Sequence, residues 1–384
     1  MGGILIDRDH IFKKDQGKLR ISWSKLRQFQ ECPKSWFAIN YASMVNVDLI
    51  MDKTKALPGV IVQKLFETFI NERIYSSPGM ESYECLIEWF RVNTVALFDL
   101  IAKPIEYQSM PKYKDARHYF SSKEGKKEVK AAKENFNLDY RIEAPQVNFT
   151  NFDSLKEEYG SVEGFIEHLV GLYRPILDSF LKRKLNLDLI LSEVYIETEI
   201  EGVCLNGYID FLYNQSQGAG FFTDIKQLKD CFIIYDGKLK LSRYIHKEQL
   251  MYYAALLQNK YGRMPDKVGF MGWTEARIVM HSFEKEYIYT LEEKVKKMKE
   301  RYIQLIDFFS GYPLDTVALG DVGLKCKPNN NCIFCPILMN CRPALEHKKD
   351  LIDYMQGAMN RKKTKMYLKS IGADKNHKTQ DISL

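Results

Sequence analysis

Nowhere in the 384 residues is there a run of about 18 apolar residues, the length a helix needs to cross a bilayer. The N-terminal Met-Gly-Gly-Ile-Leu-Ile-Asp-Arg-Asp has no apolar stretch of the kind that directs secretion. After Met1-Gly2 it lacks the Ser or Thr at the sixth position that a myristoylation signal requires. These absences lead us to expect a soluble, intracellular (cytoplasmic) protein without a membrane partner. No Gly-x4-Gly-Lys-(Ser/Thr) phosphate loop occurs, so the chain is not expected to unwind DNA by ATP hydrolysis itself. Internal repeats and low-complexity tracts are also missing, which sets aside solenoids and disordered scaffolds.

What is present is 45% hydrophobic and 28% charged residues, enough for one large core or two modest ones. The net charge of +6 is unevenly placed: residues 361–384 hold seven Lys or Arg against two Asp, so the rest of the chain is nearly neutral. A basic tail carrying Arg361, Lys362, Lys363 and Lys365 suits a polyanion, most commonly nucleic acid, or is a solvated end of the chain. Between Lys112 and Glu134, eight basic residues meet four acidic ones, with Tyr113, Tyr119 and Phe120 interleaved. Such a stretch reads as a solvated helix face, the commoner case, or as a surface that neutralises and stacks a single strand.

Four of the eight cysteines crowd into Cys326-x5-Cys332-x2-Cys335-x5-Cys341. In a chain without a secretory signal this spacing points to a metal or iron-sulfur centre rather than to disulfides.

Apolar periodicity predicts helices over 57–70, 83–102, 163–185, 242–260 and 291–309, with a final one near 344–354. A short helix is expected from Ser22 or Ser24 to Cys32-Pro33, where proline disfavours helix at the preceding residue. Strands are expected at 190–201, 203–213, 221–226, 268–273 and 277–283. Two of them end on charge: Leu205-Asn-Gly-Tyr-Ile-Asp210 and Phe221-Phe-Thr-Asp-Ile-Lys226. Desolvating a lone carboxylate costs several kcal/mol, so Asp210 and Asp224 need a partner, and a divalent cation satisfies both. Lys226 shares a strand face with Asp224, while Gln249 and Tyr253, four apart, share a helix face.

Taken in order, these pieces resemble the PD-(D/E)xK nuclease superfamily, its RecB-like branch above all, which includes the AddB nuclease domain and the iron-sulfur nucleases of CRISPR adaptation. The motifs are Ser22-x-Ser24-x-Leu26-x2-Phe29-x2-Cys32-Pro33, the 57–70 helix, Gly207-x2-Asp210, Asp224-x-Lys226, Gln249-x3-Tyr253 and Cys332-x2-Cys335-x5-Cys341. They span residues 22–341. The resemblance implies a restriction-endonuclease-like α/β fold with a central mixed sheet flanked by helices and a cysteine cluster stapling the termini. It implies a domain over 21–345 with a helical insertion around 80–185 and a cluster segment at 326–341, between an extension at 1–20 and a basic tail from 346. One departure is Gln63, which stands at or near the place of the family's metal-binding histidine.

By that resemblance Asp210, Asp224 and the carbonyl of Ile225 hold Mg²⁺ or Mn²⁺, with Gln63 as a weak ligand. Lys226 orients the attacking water and offsets transition-state charge, and Gln249 and Tyr253 position the strand. Glu193 is expected at the surface, with reach to a second metal as the alternative. Cys32, Cys332, Cys335 and Cys341 are expected around a 4Fe-4S cluster; the alternative uses Cys326 in place of Cys32 and zinc in place of iron. The activity implied is phosphodiester hydrolysis in DNA repair or recombination, most naturally from single-stranded ends. A helicase or recombination protein is a conceivable partner, and a viral or mobile-element source fits the short length. The rival is a catalytically inactive nuclease-fold subunit that binds DNA.

Overall fold

The structure, a computed structural model, describes residues 5–7, 19–41, 57–102, 122–139, 141–142, 152–182, 186–214, 232–238, 247–272, 277–311, 316–318, 324 and 326–327. It is a mixed α/β protein in which the chain groups into two compact units. The first takes residues 1–49, 200–204 and 292–384, and the second takes 50–199 and 205–291. Among the described residues no helix is long and apolar enough to cross a membrane.

In the first unit, β1 (Leu5–Asp7) pairs antiparallel with β8 (Thr316–Ala318). A short β2 (Arg20–Ser22) leads into α1 (Trp23–Glu31). Ser22 is the N-cap, its hydroxyl accepting from the Lys25 amide, which satisfies one of the orphan donors of the first turn. The helix stops where Cys32 turns extended ahead of Pro33, as the sequence predicts, and Pro33 then opens α2 (Pro33–Tyr41). Trp36 and Phe37 are buried, and the Trp36 ring stands edge-on to Phe29 at 5.1 Å.

The second unit builds its core from α3 (Leu57–Asn71), α4 (Tyr83–Ala102) and α7 (Val162–Lys182). Phe66, Phe90 and Tyr173 meet at its centre, with Phe90 stacked on Tyr173 at 4.3 Å and tilted against Phe66 at 4.9 Å. The Tyr173 hydroxyl, desolvated there, pairs with Thr94 at 3.1 Å, which keeps a buried polar group satisfied. Two further helices, α5 (Lys123–Asn135) and α6 (Phe152–Tyr159), lie where the sequence shows no clear periodicity. Helix α5 is mostly exposed, in keeping with a solvated basic face.

Strands β3 to β7 are Ile190–Ile200, Val203–Asn214, Phe232–Lys238, Lys267–Gly272 and Arg277–Ser282; β4, β5, β6 and β7 are neighbours in that order, and β3 pairs with β4 off that path. Strands β3 and β4 join through Glu201 (φ 54°) and Gly202 (φ 70°), both left-handed, which matches the twist of a tight two-residue hairpin. β4 runs antiparallel to β5, β5 parallel to β6, and β6 antiparallel to β7. The sheet is thus mixed. Helix α8 (Lys247–Tyr261) covers it through a nearly continuous buried run from Leu250 to Leu257. Among the described residues the last helix is α9 (Glu286–Gly311), whose apolar stripe at Val295, Met298, Tyr302 and Leu305 belongs to the first unit.

Candidate active site

The β4–β5 ladder ends at the pair Phe211 and Tyr235. One residue further, where the strands part, β4 presents Asp210 and β5 presents Asp236. In place of a backbone partner, the Gly237 amide donates to Asp210 Oδ2 at 2.7 Å. The carboxyl of Asp210 therefore stands where a strand carbonyl would have been. Asp236 is 2% exposed, and the two carboxyls are close enough for one to hydrogen-bond the other when a proton lies between them. Burial first, and the negative charge of Asp236 next, push the Asp210 carboxyl well above the usual carboxylate range.

Lys238, two residues past Asp236, brings its ammonium to 2.6 Å from Asp236 Oδ2. The approach lies off the direction of a hydrogen bond, so that buried oxygen is charge-paired yet meets no aligned donor. Asp236-Gly-Lys238 thus supplies an acid and a base two apart on one strand, beside Asp210.

Helix α8 closes this end of the sheet through Tyr253. Its ring lies against Gly207, where a Cβ would come within 2.6 Å of Cε1; glycine is required by close approach rather than by backbone angle. Gln249 donates to the Tyr253 hydroxyl at 3.1 Å, so these two share a helix face as their spacing predicts. The Tyr252 hydroxyl ties the same helix to β4 by donating to the Asn206 carbonyl at 3.1 Å. Burial foremost, with the negative charges of Asp236, Asp210 and Glu193, drives the Tyr253 phenol far above its ordinary pKa. It is a hydrogen-bond donor and not a base.

Glu193 is not the surface residue that the alternating glutamates of β3 suggest. It has φ 53°, a left-handed kink in the strand, and it is half-buried. Gln63 on α3 donates to its Oε1 at 2.6 Å. The expected weak metal ligand therefore spends its amide nitrogen on Glu193. Burial and the neighbouring Glu67 and Asp236 raise the Glu193 carboxyl, against the Gln63 hydrogen bond that lowers it.

The structure therefore brings together Asp210, Gln249, Tyr253 and Gln63 from the sequence pattern and adds Asp236, Lys238 and Glu193. Asp224, Ile225 and Lys226 lie outside the described residues, as do Cys332, Cys335, Cys341, Arg361, Lys362, Lys363 and Lys365. Cys32 is buried at the end of α1. Next to Cys326, the Lys327 ammonium donates to the Gln30 carbonyl at 3.3 Å, so the start of the cysteine-rich segment reaches the helix end that carries Cys32. The signal for Asp236 and Lys238 was in the sequence: Phe232-Ile-Ile-Tyr-Asp-Gly-Lys is an apolar run ending on an acid and a base two apart, the same pattern as 221–226.

Among the described residues no three His, Cys, Asp or Glu side chains stand together as a ready-made metal centre. The paired Asp210 and Asp236 carboxyls, with a buried oxygen lacking an aligned donor, suit an oxygen-seeking divalent cation such as Mg²⁺ or Mn²⁺. The fold and this site define an α/β protein with an acid pair and a lysine where two central strands diverge. Compared with family models and with curated proteins, the chain finds no match.

Proposed function

We propose that this chain is a metal-dependent deoxyribonuclease of PD-(D/E)xK type, with Asp210, Asp236 and Lys238 as its catalytic residues. What carries the reading is the meeting of Asp210 with an Asp-x-Lys run where β4 and β5 separate. Asp236-x-Lys238 takes the role that the sequence pattern alone gives to Asp224-x-Lys226.

Asp210 and Asp236 would hold the cation. When bound, Mg²⁺ or Mn²⁺ polarises a phosphate and makes water a stronger nucleophile. Lys238, its side chain 39% exposed, faces both the acid pair and solvent. It orients the incoming water and offsets negative charge on the phosphate as that charge grows. Gln249 and Tyr253 are neutral donors, fit to contact phosphate oxygens without being titrated away.

The basic tail supports DNA as the polyanion. The contact from Lys327 to Gln30 supports a cysteine cluster joining Cys32 to Cys332, Cys335 and Cys341 across the chain, as 4Fe-4S or, if Cys326 serves instead, as zinc.

The test is degradation of labelled single-stranded and duplex DNA with Mg²⁺ or Mn²⁺. Asp210→Asn, Asp236→Asn and Lys238→Met are each expected to lose at least about a hundredfold in rate, while Asp224→Ala and Lys226→Ala keep most of it. The reverse pattern would return the role to 224–226. Undetectable wild-type activity with intact DNA binding would make the chain a binding subunit.

A further inference from the structure

We propose that Tyr195 and Tyr208 form a stacking platform for the bases of an unpaired DNA strand whose phosphate enters the site at Asp210 and Asp236. Where the strand leads rests on the nuclease reading; the platform itself rests on the two rings.

The first observation is exposure. Tyr208 on β4 is 54% exposed and Tyr195 on β3 is 44% exposed, although both lie well inside paired strands. Their ring centroids are 5.0 Å apart and the rings are tilted by 48°. The two therefore make one aromatic surface with much of its area in water. A cross-strand aromatic pair also steadies a hairpin, yet apolar area stabilises a fold by leaving water, and about half of this area does not. Exposed rings in this arrangement suit bases, because every base has a π-face to stack.

The second observation is place. Side chains alternate along a strand, so Tyr208 lies on the face that carries Asp210, two residues or about 7 Å away. A base on the rings and a phosphate at the acid pair can then belong to the same or neighbouring nucleotides. The third observation is charge. The Tyr195 hydroxyl donates to Glu197 Oε2 at 2.6 Å, which fixes that ring and sets a carboxylate beside it. A carboxylate repels phosphate, while Lys238, partly exposed next to Asp236, attracts it. The strand is thus turned with its bases on the tyrosines and its phosphates toward the lysine. In a duplex the bases are already paired and stacked, and taking one out is costly, so the platform favours an unpaired strand.

The experiment measures, by fluorescence anisotropy without added divalent cation, how the full chain binds a labelled oligo-dT strand and a labelled strand of equal length that lacks its bases. The wild type is expected to prefer oligo-dT by about 5- to 150-fold, the span that stacking of one base supplies. Y208L should lose most of that preference and Y195L/Y208L all of it, while Y208F keeps it and every variant binds the baseless strand as the wild type does. Equal binding of the two strands by the wild type would overturn the platform, as would an undiminished preference in Y195L/Y208L. A loss in Y208F as large as in Y208L would assign the effect to the hydroxyl and overturn it too. Unfolding temperatures are read alongside; if the double variant does not fold, Y208L against Y208F decides. Cleavage with Mg²⁺ or Mn²⁺ is scored separately. A wild type that shows the tyrosine-dependent preference but cuts no DNA would uphold the platform and overturn the nuclease reading, and a wild type that cuts DNA without the preference would do the opposite.

Discussion

At the scale of single residues, the acid pair sets up a conflict between folding and chemistry. Asp210 is buried beside Asp236 and its carboxyl is held well above the usual range. Its native pKa exceeds its unfolded value, so the native state binds this proton more tightly. The stabilising contribution is complete below the unfolded range near about 4 and is lost as pH rises through the native pKa. In the absence of divalent cations, Asp210→Asn should therefore match the wild type near pH 4 and become progressively the more stable protein as pH increases. Urea unfolding at pH 4.5 and pH 8 measures this. An unchanged stability difference at the two pH values would mean that Asp210 titrates normally. The asparagine keeps an oxygen for the Gly237 amide, so the comparison isolates charge from hydrogen bonding.

Among the secondary-structure elements, α3 and α8 hold the site from two directions, and each does so through one tight contact. Gly207→Ala puts a methyl into the Tyr253 ring and is expected to destabilise by about 1–3 kcal/mol. It should also lower activity by shifting Tyr253 away from its present place; differential scanning calorimetry and a nuclease assay read the two effects. Phe90→Ala, at the stacked centre of α3, α4 and α7, is expected to cost about 3–5 kcal/mol, measured by the same calorimetry. These helices were legible in the sequence because their apolar stripes repeat at helical spacing: 57–70 and 83–102 match α3 and α4 within a residue. The hairpin of β3 and β4 was legible from its alternation and from Gly202. Strand β5 carries the same signal as 221–226, a short apolar run ending on an acid and a base, but its residues from Phe232 to Gly237 are all buried, so it lacks the alternation that marks a half-exposed strand and was passed over. Glu193 was hidden for another reason: it belongs to a series with Glu197, Glu199 and Glu201, and only the left-handed kink separates it from them. Gln249 and Tyr253 could be found because their spacing places them on one helix face, and Asp210 because a short apolar run ends on it; Gly207 entered only through the family resemblance.

For the molecule as a whole, residues far apart in sequence converge. Lys327 meets Gln30 across 297 positions, at the helix end that bears Cys32. If Cys32 ligates a 4Fe-4S cluster, protein purified without oxygen should be brown, and Cys32→Ser should lose most of its iron and sulfide by elemental analysis. Colourless wild-type protein containing zinc would instead assign the local set with Cys326. Removing residues 361–384 takes away seven of the chain's basic residues and should weaken binding to single-stranded DNA. It should also flatten the dependence of log K on log salt by about 0.7 for each phosphate that the shortened chain no longer neutralises. An unchanged slope, measured by fluorescence anisotropy, would leave the tail without a role in binding.

The early end of the β4–β5 ladder has one more consequence. Because a side chain and not a strand carbonyl receives the Gly237 amide, that single proton reads the condition of the acid pair directly. Its NMR resonance and its exchange with deuterated solvent should respond to whatever binds the two carboxyls, making Gly237 an internal sensor that needs no attached dye.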